Sequence, residues 1–338
     1  MRRHPSSLTV LAAGCAAWLA HACGDGNAAP DLVIYSGRAK ALVQPLIDQF
    51  EARRGFEVEV RYGGSAQMAA AILDEGKESL ADVYYGQDAG ALGSLAKAGR
   101  FSELPGSLLE KVEPRFRARD GRWIGASGRA RVLVYNTSVL SEADLPDSVL
   151  ELAEPRFKGR IGWAPTNGSF QAFVTAMRLI EGEQATRDWL AAMVKNESKA
   201  YRDNPPLFEA VLNGEIDIGL SNHYYLFRFL EDGPDVELSA RNYSPRGGGA
   251  GALINIAGAG VLASAPHPEA ALDFAEYLLS NEAQIYFAED MFEYPLVERI
   301  STHPLIEPLS DVNTPDIDLS QLDDLAGTLA LLREVGAL

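Results

Sequence analysis

Two adjacent tyrosines, Tyr224 and Tyr225, end the run Gly219-Leu-Ser-Asn-His-Tyr-Tyr, where a strand-like segment turns into a helix-like one. On a regular strand neighbouring side chains face opposite ways, but at a turn both can converge. Two converging phenol oxygens are hard donors, and hard donors select hard cations. The same pair, followed by Leu226, Phe227 and Phe229, also reads as core packing. Arg129 and Arg131, flanking a crossover, could bind an anion in a cleft or form salt bridges across a hinge. Catalytic chemistry has little support. After residue 30 the chain holds three histidines, His223, His267 and His303, and His267 lies between two prolines. It contains no His-Glu-x-x-His, Gly-x-Ser-x-Gly or phosphate-loop pattern. Gly247-Gly-Gly-Ala-Gly251 is glycine-rich but leads into a strand rather than a helix. The expectation is a binding protein, not an enzyme.

Composition narrows the partners. The 338 residues carry a formal charge of −17, which repels nucleic-acid phosphates and anionic lipid surfaces. The two cysteines, Cys15 and Cys23, both precede the body of the chain, so no disulfide framework, zinc site or thiol nucleophile is expected there. Arg2, Arg3 and His4 precede an apolar stretch from Leu8 to Ala22 that is too short to span a bilayer comfortably. It ends Ala20-His-Ala-Cys23 and is followed by a Gly- and Ala-containing tether. This resembles a bacterial lipoprotein signal, which implies removal of residues 1–22, lipidation of Cys23 and a tether over residues 23–30. A plain secretory signal cut before Cys23 is the alternative.

The body must then position the tyrosines and arginines. Residues 31–35 read as a buried strand, and residues 38–54 as a helix stopped by Gly55, with Pro45 suggesting a late start or a kink. Residues 56–62 alternate as a half-buried strand, and Ser65 is placed to cap the next helix. A strand at 81–85 and a helix at 89–98 complete an α/β succession. Residues 123–126 and 132–135 read as two strands joined through Ser127–Arg131. A second α/β unit follows, with strands at 161–164, 216–220 and 253–256. Its helices fall after Thr166–Ser169, near 184–195 and 205–213, and at Tyr224. Helices at 268–280 and 281–290 close the compact region, and residues 316–338 read as packing. The picture is two α/β lobes with crossovers near residues 130 and 255, and ligands held at strand ends and helix N-termini between them.

Nine segments in order resemble the periplasmic ferric-ion-binding proteins of the ABC-transporter solute-binding superfamily, over roughly residues 31–335. They are Val33-Ile-Tyr-Ser-Gly-Arg38, Ala81-Asp-Val-Tyr-Tyr85, Ser127-Gly-Arg-Ala-Arg-Val-Leu-Val-Tyr-Asn136, Phe157-Lys-Gly-Arg-Ile-Gly162, Pro165-Thr-Asn-Gly-Ser-Phe170, Asn213-Gly-Glu215, Ser221-Asn-His-Tyr-Tyr225, Gly251-Ala-Leu253 and Glu293-Tyr-Pro-Leu296.

The resemblance implies a two-lobed type II periplasmic-binding-protein fold, each lobe a mixed sheet flanked by helices. The N-lobe would comprise residues 31–130 plus 256–304, and the C-lobe residues 131–255 plus 305–338. It implies a monomer in the periplasm or at the cell surface that captures Fe(III) and passes it to an ABC transporter permease in the inner membrane. Tyr224 and Tyr225 would be metal ligands. Relatives that use a histidine after the first strand and a glutamate after the third find Ala39 and Gln87 here, with Asp88 nearby. Relatives with an arginine that holds carbonate match Arg38, but the tyrosine they add is Phe170 here. A bound carbonate or phosphate is therefore expected to complete the shell. Arg38, Arg129 and Arg131 would hold it, with Asn167, Gly168, Ser169, Asn204 and Asn222 beside it. Two other readings stand: a small organic anion such as a phosphonate as the ligand of the same fold, or a lipoprotein that senses a ligand without transporting it.

Overall fold

The structure, a computed structural model, describes residues 29–231 and 238–338. Cys15, Cys23, the signal and residues 23–28 of the tether lie outside the described residues. In chain order the elements are β1 (Leu32–Ser36), α1 (Lys40–Arg54), β2 (Val58–Tyr62), α2 (Ser65–Glu75), β3 (Val83–Gly86), α3 (Ala89–Lys97), the short α4 (Gly106–Leu109), β4 (Ile124–Asn136), β5 (Ile161–Trp163), α5 (Gly168–Ile180), α6 (Glu183–Lys195), β6 (Lys199–Ala200), α7 (Asn204–Leu212), β7 (Ile218–Asn222), α8 (Tyr224–Glu231), β8 (Ala240–Tyr243), β9 (Ile254–Val261), α9 (Pro268–Leu278), α10 (Asn281–Glu289), β10 (Tyr294–Pro295) and α11 (Leu325–Glu334).

The strands run in the order β2-β1-β3-β9-β4-β7-β5-β6, with β8 and β10 also paired to β4. β1 pairs in parallel with β2 and β3, and β5 in parallel with β6 and β7. β9 and β4 are antiparallel to their neighbours. β1 is apolar throughout because both its faces are covered, whereas β2, at the edge, alternates half-buried with exposed residues. Two α/β halves result, joined through the long β4 and through β9.

Several expectations are corrected. The segments 123–126 and 132–135 form a single 13-residue strand, β4, whose register shifts between Gly125 and Ser127. Its middle residues, read as a connector, are held by pairing with β9 on one stretch and β7 on the next. β9 extends to Val261, well past the expected end, and β7 lies two residues later than expected. α1 begins at Lys40 rather than being delayed by Pro45, which it runs through, and ends as expected at Gly55 in the left-handed conformation. Gly64, not Ser65, is the N-cap of α2; the Ser65 hydroxyl instead accepts the Gln87 N–H at 3.1 Å. The short pairings of β6, β8 and β10 carried no sequence pattern long enough to read. Among the described residues, no helix is long and apolar enough to cross a membrane.

Candidate functional site

β7 ends at Asn222, which pairs with Arg131 of β4, and α8 begins two residues later. The change of direction places Tyr224 and Tyr225 side by side, ring centroids 4.2 Å apart at 31°. Both side chains are buried. Burial raises the Tyr224 pKa and Glu293 adds to the rise, while Arg129 and Arg38 oppose it. Tyr225 is pushed well above 10, by burial first and then by Tyr224. The pair stays protonated until a cation strong enough to displace the protons arrives.

Three buried arginines face this end of the sheet in different ways. Arg38 is engaged through both terminal nitrogens: Nη2 donates to Glu293 Oε1 at 2.6 Å, and Nη1 donates to the Tyr85 hydroxyl at 3.1 Å and to Ser127 Oγ at 3.4 Å, while its Nε is buried without a partner. Glu293 also accepts from the Ser127 hydroxyl. Burial alone would lower the Arg38 pKa, but Glu293 and the neighbouring phenols hold it above its ordinary value. Arg131 lies beneath the tyrosine turn, where its guanidinium donates to the Ser221 and Ser169 carbonyls at 3.2 and 3.1 Å and packs over Phe173. Burial and then Arg129 lower its pKa to about 9. Arg129 donates through Nη2 to the Gln87 and Ile256 carbonyls, and its Nε and Nη1 are buried without partners. Of the three, Arg129 retains donors for a ligand on two nitrogens.

α5 begins beside them. Asn167 is its N-cap, accepting the Ser169 N–H at 3.0 Å, and the Asn222 amide donates to Ser169 Oγ at 3.1 Å. Phe170, in the next position, turns away and packs edge-on against Trp163 in the core. Asn204 opens α7 with both amide atoms buried and unpaired, close enough to Tyr225 to influence its hydroxyl. The two halves meet here: Gln87 Nε2 donates to Asn167 Oδ1 at 3.3 Å, and a Cβ added to Gly168 would fall 2.6 Å from Asp88 Oδ2. The cleft is closed at this point. An open cavity of about 930 Å³ lies elsewhere, between α4 and the start of α10, and none of its lining residues is a buried unpaired side chain.

The sequence placed Tyr224, Tyr225, Arg129, Arg131, Asn167, Gly168, Ser169, Asn204 and Asn222 near one another, and in the structure they lie around the same end of α5 and α8. Arg38 adjoins them through Glu293 and Tyr85. Ala39 precedes α1 and Gln87 serves as an interlobe contact. Sequence reasoning missed the Arg38–Glu293 pair and the position of Asp88 against Gly168. Asp88 did carry a signal, an aspartate directly before a helix. Among the described residues, no three His, Cys, Asp or Glu side chains gather as a metal site.

Two α/β halves sharing a closed cleft, lined by phenols, guanidinium and amide groups, define a two-lobed type II binding protein. The chain belongs to the bacterial extracellular solute-binding protein family, which matches residues 45–313. It is 35% identical over 324 residues to the Fe(3+)-binding periplasmic protein of Serratia marcescens, covering 95% of this chain and 94% of that one. The structure of iron-bound HitA from Pseudomonas aeruginosa superposes with a TM-score of 0.86 at 34% identity, covering 90% of this chain and 99% of that one. A Trichodesmium protein in complex with iron and citrate superposes with a TM-score of 0.76 at 30% identity, covering 90% of this chain and 99% of that one.

Proposed function

We propose that this protein captures ferric iron in the cleft between its lobes, outside the cytoplasm, and delivers it to an ABC transporter. The observation that carries the reading is the pair of buried phenols, Tyr224 and Tyr225, held side by side with raised pKa values. A small, highly charged cation displaces both phenol protons; a softer or less charged ion gains too little to do so. The ferric-binding relatives support the choice of metal. Two phenolates leave the metal short of donors and charge. A carbonate, phosphate or hydroxy acid therefore binds with it, held by Arg129 and the N-terminus of α5 with Asn204 beside it. The citrate in one neighbour supports a co-bound anion. Arg38, paired with Glu293, sets the charge behind Tyr224 rather than gripping the anion. Attachment through a lipid on Cys23, with lobes divided near residues 130 and 255, completes the reading.

Titration of Fe(III) into the purified protein tests it. A visible phenolate-to-iron band is expected, with proton release on binding. Tyr224→Phe and Tyr225→Phe keep each ring and remove its oxygen. Each is expected to weaken iron by more than ~100-fold, beyond the 10- to 100-fold typical of outer-shell changes, and to shift or abolish the band. Folded variants with an unchanged band would reject the assignment. The second reading, a small organic anion as the cargo, draws on the unpaired Arg129 nitrogens. It predicts anion binding without iron that both tyrosine variants retain.

A further inference from the structure

We infer that Asp88 selects the anion that accompanies the metal: the site takes an oxyanion that brings its own proton, such as hydrogen phosphate, bicarbonate or a hydroxy acid, and rejects one without a proton, such as sulfate. The inference rests on the reading of an iron site completed by an anion.

Asp88 is 1% exposed and is the N-cap of α3, with Oδ1 accepting the Ala91 N–H at 2.8 Å. Oδ2 is buried without a partner. It lies against Gly168, the first residue of α5, on the opposite side of the closed cleft. The Ser65 hydroxyl lies close by and favours the ionised carboxylate, but it accepts the Gln87 N–H, is 3.5 Å from the Gly37 carbonyl and makes no hydrogen bond of good geometry to Oδ2. The neighbouring polar groups are donors. Arg129 of β4 stands opposite Asn255 of β9 in the sheet, so their side chains share a face. Asn255 Oδ1 accepts the Ala89 N–H at 3.3 Å and the Ile256 N–H at 2.8 Å, which leaves its buried Nδ2 unpaired. The site therefore offers unpaired N–H groups on Arg129 and Asn255, together with one unpaired carboxylate oxygen.

An anion seated between Arg129 and the start of α5 must border that oxygen. If the anion carries no proton, two negatively charged acceptors face each other where water is excluded, and both remain unsatisfied. If it carries one, an O–H donates to Oδ2 while its other oxygens accept from Arg129 and Asn255. Burial raises the Asp88 pKa, and Ala91, Ser65 and Arg129 oppose that rise. Sulfate matches hydrogen phosphate in shape and charge but has no proton to share near neutral pH, so comparing the two isolates this feature.

The test uses the full-length protein stripped of iron and anions at neutral pH. Apparent Fe(III) affinity is read from the visible band with phosphate, bicarbonate or sulfate at equal concentration. Calorimetry of phosphate and sulfate with the iron-free protein is the second readout. Phosphate is expected to outperform sulfate by at least ~100-fold, as expected of a site built around a hydrogen bond the analogue lacks. Asp88→Asn keeps an N-capping side chain, so α3 retains its start, and it presents an amide donor where the acceptor was. In that variant sulfate is expected to approach phosphate to within ~10-fold. Equal performance of sulfate and phosphate in the native protein, or an undiminished preference in Asp88→Asn, would overturn the inference. A phosphate preference measured by calorimetry without any iron band would overturn the ferric reading and the pairing of the anion with a metal, and would leave only the discrimination by Asp88 between phosphate and sulfate standing.

Discussion

His223 precedes the tyrosine pair and ties it to β4. Its N–H donates to the Ala130 carbonyl at 3.1 Å, and its Nδ1 accepts the Ala130 N–H at the same distance. The ring stacks on Tyr294 with centroids 4.9 Å apart, and the Asn242 amide donates to the His223 carbonyl at 2.7 Å. With Nδ1 an acceptor, the neutral ring carries its proton on Nε2. Burial lowers its pKa to about 4, although Glu293 and nearby backbone groups push the other way. The unfolded chain takes up a proton near the ordinary value of about 6.5, whereas the folded protein resists until about 4. Stability is therefore fully present above pH 6.5 and is lost as the pH falls through this window. At about 1.4 kcal/mol per unit the loss approaches ~3 kcal/mol. Thermal unfolding of iron-free protein between pH 7.5 and 4.5 measures it. His223→Asn offers an acceptor that does not titrate and is expected to lose less across the same range. Identical pH profiles for the two proteins would remove His223 as the cause. The adjacent tyrosines were legible in the sequence because neighbours in the chain are neighbours in space. The Arg38–Glu293 pair joins residues 255 positions apart, and only the folded chain shows that Arg38 is committed to it.

Among the elements, α5 decides how closely the halves can approach. Gly168 opens it, and nothing in its own half forbids a larger residue. The atoms a Cβ would meet, Asp88 Oδ2 at 2.6 Å and Ser65 Cβ at 3.0 Å, belong to the other half. Gly168→Ala is therefore compatible with folding and improves intrinsic helix propensity, yet it obstructs the closed cleft. The expected outcome is an unchanged or slightly raised melting temperature together with iron release at least ~10-fold faster, on the order of 1.4 kcal/mol of lost closure. Stopped-flow transfer of iron to a strong chelator measures the rate, and release at the native rate would show that the cleft tolerates the methyl group. Most helices were legible, because α1, α3, α5 and α6 carry apolar spacing and clear ends such as Gly55 and Asn167. β4 was not. Its glycines weaken the local strand signal, and a strand forms there because β9, β7, β8 and β10 all pair with it. Ser65 shows the same limit, since its hydroxyl serves the Gln87 backbone across the fold instead of its own helix.

At the scale of the molecule, the two halves are linked by more than the pair of strands. The segment before α11 presses on α3, where Lys97 pairs with Asp323 at 3.0 Å and Gly93 leaves room for the Asp323 backbone. A few residues later the same segment grips α5, through Thr175 and Thr328 hydroxyls 2.7 Å apart and Arg178 with Asp324 at 2.8 Å. α3 and α5 are the helices whose N-termini face each other across the site, so the C-terminal segment ties the outer ends of the two elements that close on the ligand. With the lobes divided near residues 130 and 255 as proposed, opening is expected to bend the sheet at Arg129–Ala130 and Ile254–Asn255, which pair with each other, while the C-terminal tie limits its extent. A ligand bound by groups from both halves shifts the population toward the closed form by its difference in affinity for the two states. Tyr224, Tyr225 and Asn204 come from one side, and Asp88 and Gln87 from the other. Small-angle scattering of the iron-free protein is expected to give a larger radius of gyration than the protein saturated with Fe(III) and phosphate. Gly168→Ala should remain close to the iron-free value even when loaded. Matching profiles for the native protein in both states would mean that the cleft closes without ligand, and the interlobe contacts, led by the Gln87–Asn167 hydrogen bond, would then suffice to hold it shut.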